Sequence, residues 1–123
     1  MPRRMTPESC VLKAVTDLLT VQGVLWFRIN TGATIIPANG SHARRFIRYG
    51  TKGMADILAA PIDNKLTFPR PIFFWIEVKA PGGRQSEDQK TFELMVKSRG
   101  HEYVVVDDAT ALLDYMRIRR LSA

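Results

Sequence analysis

Pro71-Ile72-Phe73-Phe74-Trp75-Ile76-Glu77-Val78-Lys79 is the stretch on which the reading of this chain turns. Six apolar residues run directly into a carboxylate and an ammonium two positions apart. An aromatic and β-branched run bounded by proline predicts a buried strand. Side chains two apart on a strand share a face, so Trp75, Glu77 and Lys79 look one way and Phe74, Ile76 and Val78 the other. Two charges at successive positions of one face are costly to bury without partners. Either the strand end emerges into solvent, or the two charges belong to a site.

Downstream, Ala80-Pro81-Gly82-Gly83-Arg84 makes a turn, and Ser86-Glu87-Asp88-Gln89 opens a helix with capping-box spacing. Phe92, Met95 and Val96 are its buried stripe and Gly100 its stop. Gln89 stands at the inner edge of that stripe, so capping and an inward role compete for one side chain. Residues 102–107 predict a strand, and a last helix runs from about Asp108 to Arg119 on Leu112, Tyr115 and Met116. Its basic end, Arg117-Ile118-Arg119-Arg120, either solvates the terminus or touches nucleic acid.

Upstream, residues 61–71 hold three prolines and predict a surface connection. Before them, Gly53-Met54-Ala55-Asp56-Ile57-Leu58-Ala59-Ala60 places one acid at the start of an apolar strand, directly after a glycine-bearing turn. Residues 31–53 predict a hairpin whose arms are residues 34–36 and 45–49, with a tip near Asn39-Gly40-Ser41-His42. Arg44, Arg45, Arg48 and Lys52, interleaved with Phe46 and Tyr49, make it either a phosphate-gripping arm or a solvated charged hairpin. His42 suits a surface or DNA-contact role better than metal ligation. Residues 24–30 predict a strand with Leu25, Phe27 and Ile29 on one face and Trp26, Arg28 and Asn30 on the other. At the start, Thr6 caps a helix that has Pro7 in its first position and ends before Gly23. Val11, Leu12, Val15, Leu18 and Leu19 form its apolar stripe. Glu8 falls on that stripe too, either complementing the helix dipole or aimed inward at a site.

At 123 residues, with 46% hydrophobic and 24% charged, the chain fits one globular α/β domain spanning residues 1–123. No apolar run reaches the roughly 18 residues of a membrane span. The first residues lack the apolar segment of a signal peptide. The single cysteine, Cys10, excludes an internal disulfide and a cysteine-based zinc cage, and fits a reducing compartment. A formal net charge of +6 favours a polyanionic partner.

The predicted order is helix, strand, hairpin, strand, strand, helix, strand, helix. The Glu77 strand and the strand at Tyr103 form a parallel pair across the second helix. If the Asp56 and Glu77 strands pair, Asp56 at the start of one meets Glu77 near the end of the other. Two acids beside one lysine call for a cation, and oxygen ligands suit Mg²⁺ or Mn²⁺, with Glu8 as a possible third carboxylate. Such an ion polarises a phosphodiester oxygen and acidifies water, while Lys79 orients that water or meets charge on the phosphoryl oxygens.

Asp56 followed by Glu77-Val78-Lys79 resembles the Asp…(Asp/Glu)-x-Lys signature of the PD-(D/E)XK nuclease superfamily. A wider pattern runs in order through the chain: Glu8, Asn30-Thr31-Gly32, Lys52-Gly53-x-x-Asp56, Glu77-x-Lys79-x-Pro81-Gly82-Gly83 and Ser86-x-x-Gln89. This resembles the VRR-NUC family, the virus-type replication-repair nucleases, from Glu8 to about Asp107. One departure is Ala55, where that family usually has proline; it removes no ligand.

The resemblance implies a restriction-endonuclease-like core: a central mixed sheet flanked by helices, in the order αβββαβ plus a hairpin and a C-terminal helix. It implies Mg²⁺- or Mn²⁺-dependent hydrolysis of phosphodiester bonds in DNA. Asp56, Glu77 and the Val78 backbone carbonyl become metal ligands, Glu8 a direct or water-mediated acid, Lys79 the catalytic lysine, and Gln89 its support. Arg44, Arg45, Arg48, Lys52 and Arg84 are the candidate DNA contacts. A chain of this size resembles the stand-alone phage or prophage members, in the cytoplasm of a bacterial or phage-infected cell. That implies a homodimer with two active sites on branched DNA, cleaving four-way junctions first and flaps or splayed arms second. Sequence-specific cleavage fits less well, because no segment is free to read base edges. RNA cleavage, or a catalytically silent DNA-binding module on the same fold, are the other readings.

Overall fold

The computed structural model describes residues 5–29, 32–40 and 43–123, with the side chains of 32–36 and 45–49 outside that description. In chain order the elements are α1 (Pro7–Val21), β1 (Leu25–Arg28), β2 (Gly32–Ile36), β3 (Arg45–Tyr49), β4 (Ile57–Ala60), β5 (Ile62–Asp63), β6 (Arg70–Pro71), β7 (Phe74–Val78), α2 (Glu87–Ser98), β8 (Glu102–Val106), α3 (Ala109–Ile118) and β9 (Leu121–Ser122). The Thr6 hydroxyl accepts the Ser9 N–H at 3.1 Å and starts α1, while Gly23, at φ +74°, turns the chain out of it. Ser86 does the same for α2, accepting the Gln89 N–H at 3.2 Å, and Asp108 for α3, accepting the Ala111 N–H at 2.7 Å.

The main sheet has the order β1-β4-β7-β8. β1, β4 and β7 run antiparallel, and β8 joins β7 in parallel across α2. The chain is therefore an α/β fold on a mixed sheet. The two faces of β7 separate as the alternation requires. Phe74, Ile76 and Val78 lie in one core with Ile57, Ala59 and Val106, under Val11, Val15 and Leu19 of α1 and Leu112 and Met116 of α3. Trp75 lies on the opposite face with Tyr103 and Ala55, under Phe92 and Val96 of α2. Each fully buried large side chain contributes about 1.5–3 kcal/mol. β2 and β3 pair antiparallel from Gly32 opposite Tyr49 to Ile36 opposite Arg45, as the hairpin requires.

Two expectations need correction. Residues 61–71 are not simply a surface connection: β5 lies between β6 and β9 in a second small sheet. Within it Asp63 is fully buried. Its carboxylate accepts the Lys65 N–H at 2.9 Å and lies 3.2 Å from the Lys65 ammonium. These bonds, the backbone one first, hold it below the usual carboxylate range despite burial. Met95, placed on the buried stripe of α2, is 39% exposed, because only Phe92 and Val96 reach the sheet. On β1 it is Trp26 that packs toward the core, whereas Leu25 and Phe27 are more than half exposed on the face that α2 leaves partly open. Among the described residues no helix is long and apolar enough to cross a membrane.

Candidate active site

The register of β4 and β7 sets Ile57 opposite Ile76. One step beyond the last pair, Asp56 falls opposite Glu77, at the start of one strand and the end of the other. Glu77 continues the Trp75 face of β7, and Asp56, one residue before β4 begins, meets it at the end of the sheet. The turn that delivers Asp56 is docked on α2. Gly53 has φ +78°, and a Cβ there would lie 2.2 Å from the Asp88 carbonyl oxygen. Lys52 ties the same turn to α2 through an ion pair with Asp88 at 3.3 Å.

Asp56 is held from three sides. Its Oδ2 accepts the Val78 N–H at 2.8 Å. Its carbonyl accepts the Ile29 N–H at 2.8 Å and the Arg28 guanidinium at 2.8 Å, and the same Arg28 nitrogen lies 3.5 Å from Oδ1. In an extended strand a residue's N–H and C=O point the same way, so the Val78 carbonyl is directed to the Asp56 side.

Glu77 is 2% exposed. Its Oε1 accepts from Gln89 Nε2 at 3.0 Å and lies 3.7 Å from the Lys79 ammonium. Its Oε2 is buried with no hydrogen-bond partner among the described residues. Burial first, then the neighbouring Asp56 carboxylate, pushes the Glu77 carboxyl up to about 8, against the pull of Lys79. Lys79 itself is largely buried, at 15% side-chain exposure, on the same face.

The two roles expected to compete for Gln89 do not compete. Its Oε1 accepts the Ser86 N–H at 2.8 Å, closing the capping box, while its Nε2 donates to Glu77. The amide has an acceptor end and a donor end, and the first turn of α2 stands where each finds its partner. Helix start and candidate site are thereby one hydrogen-bonded unit.

Glu8, in the first turn of α1, lines a cavity of about 150 Å³ together with Thr6, Ser9, Arg28, Asp56 and Val78. Its charge adds to the pressure on Glu77. Among the described residues, however, no group of three or more His, Cys, Asp or Glu side chains is gathered closely enough to hold an ion. The structure thus brings Asp56, Glu77, Lys79 and Gln89 together and leaves Glu8 across a cavity. Arg28 is the residue that sequence reasoning missed. Its trace in the sequence is a charge on the face of β1 that also carries Trp26.

The proposed DNA contacts are less gathered. Arg44 and Arg84 are exposed, and Lys52 is engaged with Asp88. The side chains of Arg45 and Arg48, and residues Asn30, Thr31, Ser41 and His42, lie outside the described residues. As for a metal, a buried carboxylate oxygen without a partner, facing a second carboxylate, is a donor set that hard divalent cations satisfy. These residues therefore fit Mg²⁺ or Mn²⁺. No family model, no curated protein and no solved structure matches the chain.

Proposed function

We propose that this chain is a metal-dependent endodeoxyribonuclease of the PD-(D/E)XK type, close in kind to the VRR-NUC nucleases, acting on branched DNA. The supporting observation is the buried Glu77 Oε2, without a hydrogen-bond partner among the described residues, beside Asp56 and with Lys79 on the same face. A buried carboxylate left orphaned costs stability, and a fold bears such a cost where the group is used. Asp56, Glu77 and the Val78 carbonyl would hold the ion, with Glu8 reaching it through water. A divalent ion bound there supplies positive charge to a phosphodiester oxygen and acidifies water.

The chain's own residues do the rest. Arg28 and the Val78 N–H fix the Asp56 carboxylate, and Gln89 fixes the Glu77 carboxylate, so neither must reorganise as charge develops. Lys79, desolvated beside Glu77, stabilises negative charge on the phosphoryl oxygens and orients the attacking water. The net charge of +6 favours the DNA backbone. As a homodimer the protein would set two sites on one four-way junction and yield paired nicks.

The test is cleavage of a labelled four-way junction beside a matched linear duplex, in Mg²⁺, Mn²⁺ and EDTA, with Glu77→Ala alongside. Metal-dependent paired nicks on the junction, absent in the variant, are expected. Equal cleavage of both substrates removes the branch preference. Salt-sensitive binding without cleavage in either metal removes the enzyme.

A further inference from the structure

Trp75, two residues before Glu77 on the same face of β7, and Phe73, just before that strand begins, lie about 7 and 13 Å from it by strand rise. They form one wall of a second cavity, of about 320 Å³, closed by Phe92, Met95, Arg99 and His101. Trp75 meets Phe92 edge-on at 5.0 Å between centroids, and Phe73 leans on the His101 ring at 5.2 Å. Phe73 is 53% exposed, although its neighbour Phe74 is fully buried. Arg99 is exposed at the end of α2, with one guanidinium nitrogen on the Met95 carbonyl at 3.0 Å and its other donors without a partner among the described residues.

We propose that this slot takes an unpaired nucleobase of the DNA strand whose backbone passes Glu77 and Lys79. The inference rests on the nuclease reading and narrows its substrate to branched DNA with an unpaired base near the cleaved phosphate. Three observations favour that occupant. Aromatic rings provide the sequence-tolerant stacking surface that single-stranded DNA uses. The slot lies on the strand that carries the candidate site, within a few nucleotides of it. A guanidinium at its rim complements the phosphate that accompanies the base. A duplex does not fit, because its bases are stacked on one another and unavailable to a slot beside a helix.

The experiment uses full-length protein in EDTA, where cleavage does not intervene. A splayed-arm DNA carries 2-aminopurine at successive unpaired positions next to the branch, and a matched linear duplex is the control. Wild type quenches 2-aminopurine at one or two positions. Phe73→Ala abolishes that quench and weakens splayed-arm binding about five-fold or more, leaving duplex affinity unchanged. Phe73→Tyr restores both, which separates stacking from folding, and thermal melting verifies each variant. No position-dependent quench, or equal losses on splayed arm and duplex, overturns the proposal. So does sedimentation in which Phe73→Ala converts a dimer to a monomer, since a second copy then covers the slot. Wild-type cleavage of the same DNA in Mg²⁺ separates the two claims. Cleavage without quench sinks only the slot, and quench without cleavage sinks only the nuclease.

Discussion

Replacing Glu77 by glutamine should make the metal-free fold more stable, by an amount that grows with pH. In the folded protein the Glu77 carboxyl is raised from an ordinary value of 4.5 to about 8, chiefly by burial and then by Asp56. Between those limits the folded chain holds a proton that the unfolded chain has released. Stability therefore falls as pH rises, by about 1.4 kcal/mol per pH unit, and levels off once the folded group ionises. For a shift of that size the ceiling is on the order of 5 kcal/mol. The glutamine amide never ionises, and its oxygen still accepts from Gln89. The stability gap between Glu77→Gln and wild type should be small near pH 4.5, widen through pH 6 and 7, and stay constant above about pH 8. Titrating groups away from the site, Asp63 among them, are common to both proteins and cancel. Urea unfolding at unit pH steps in EDTA measures the gap, provided the slopes with denaturant agree. Parallel stability curves at every pH would refute the strained carboxylate. Adding Mg²⁺ at a hundredfold excess over its dissociation constant should recover about 2.7 kcal/mol in wild type and little in the variant.

Other substitutions separate roles that the geometry joins. Lys79→Met should lower cleavage about 10²- to 10³-fold while Mn²⁺ affinity, read by calorimetry, stays near wild type. Gln89→Glu keeps an acceptor for the Ser86 N–H but loses the donor to Glu77; helix content by circular dichroism should hold while cleavage falls at least about ten-fold. Gly53→Ala forces a side chain into positive φ and against the Asp88 carbonyl, costing about 1–3 kcal/mol from strain alone by urea unfolding. Because the same turn delivers Asp56, its cleavage should fall as well.

What could be read from the residues in order was local, or followed from one pairing. Thr6, Ser86 and Asp108 start helices by bonding three residues ahead, so each cap lies within its own few residues. The opposition of Asp56 and Glu77 follows from antiparallel pairing of two apolar runs, and the parallel partner from the helix between. The small sheet is different. It pairs Ile62 with Ser122, sixty positions away, through strands of two residues that carry no alternation to detect. Buried Asp63 was hidden for the same reason, since its partners Lys65 and Arg70 look like ordinary loop charges. The double use of Gln89 required knowing where the end of β7 stands relative to the start of α2. Which face of β1 meets the core was undecided by pattern, because both carry an aromatic residue. Arg28 went unseen because its acceptors include the backbone carbonyl of Asp56, which no sequence pattern records.

Mn²⁺ binding followed by electron paramagnetic resonance, in wild type and in Asp56→Asn, with cleavage of a labelled branched DNA read on the same samples, bears most directly on the site. Bound Mn²⁺ in wild type, greatly weakened in Asp56→Asn together with cleavage, is the expected result. Mn²⁺ bound equally by both proteins, or cleavage that persists in Asp56→Asn, would contradict a metal-dependent nuclease built on Asp56 and Glu77.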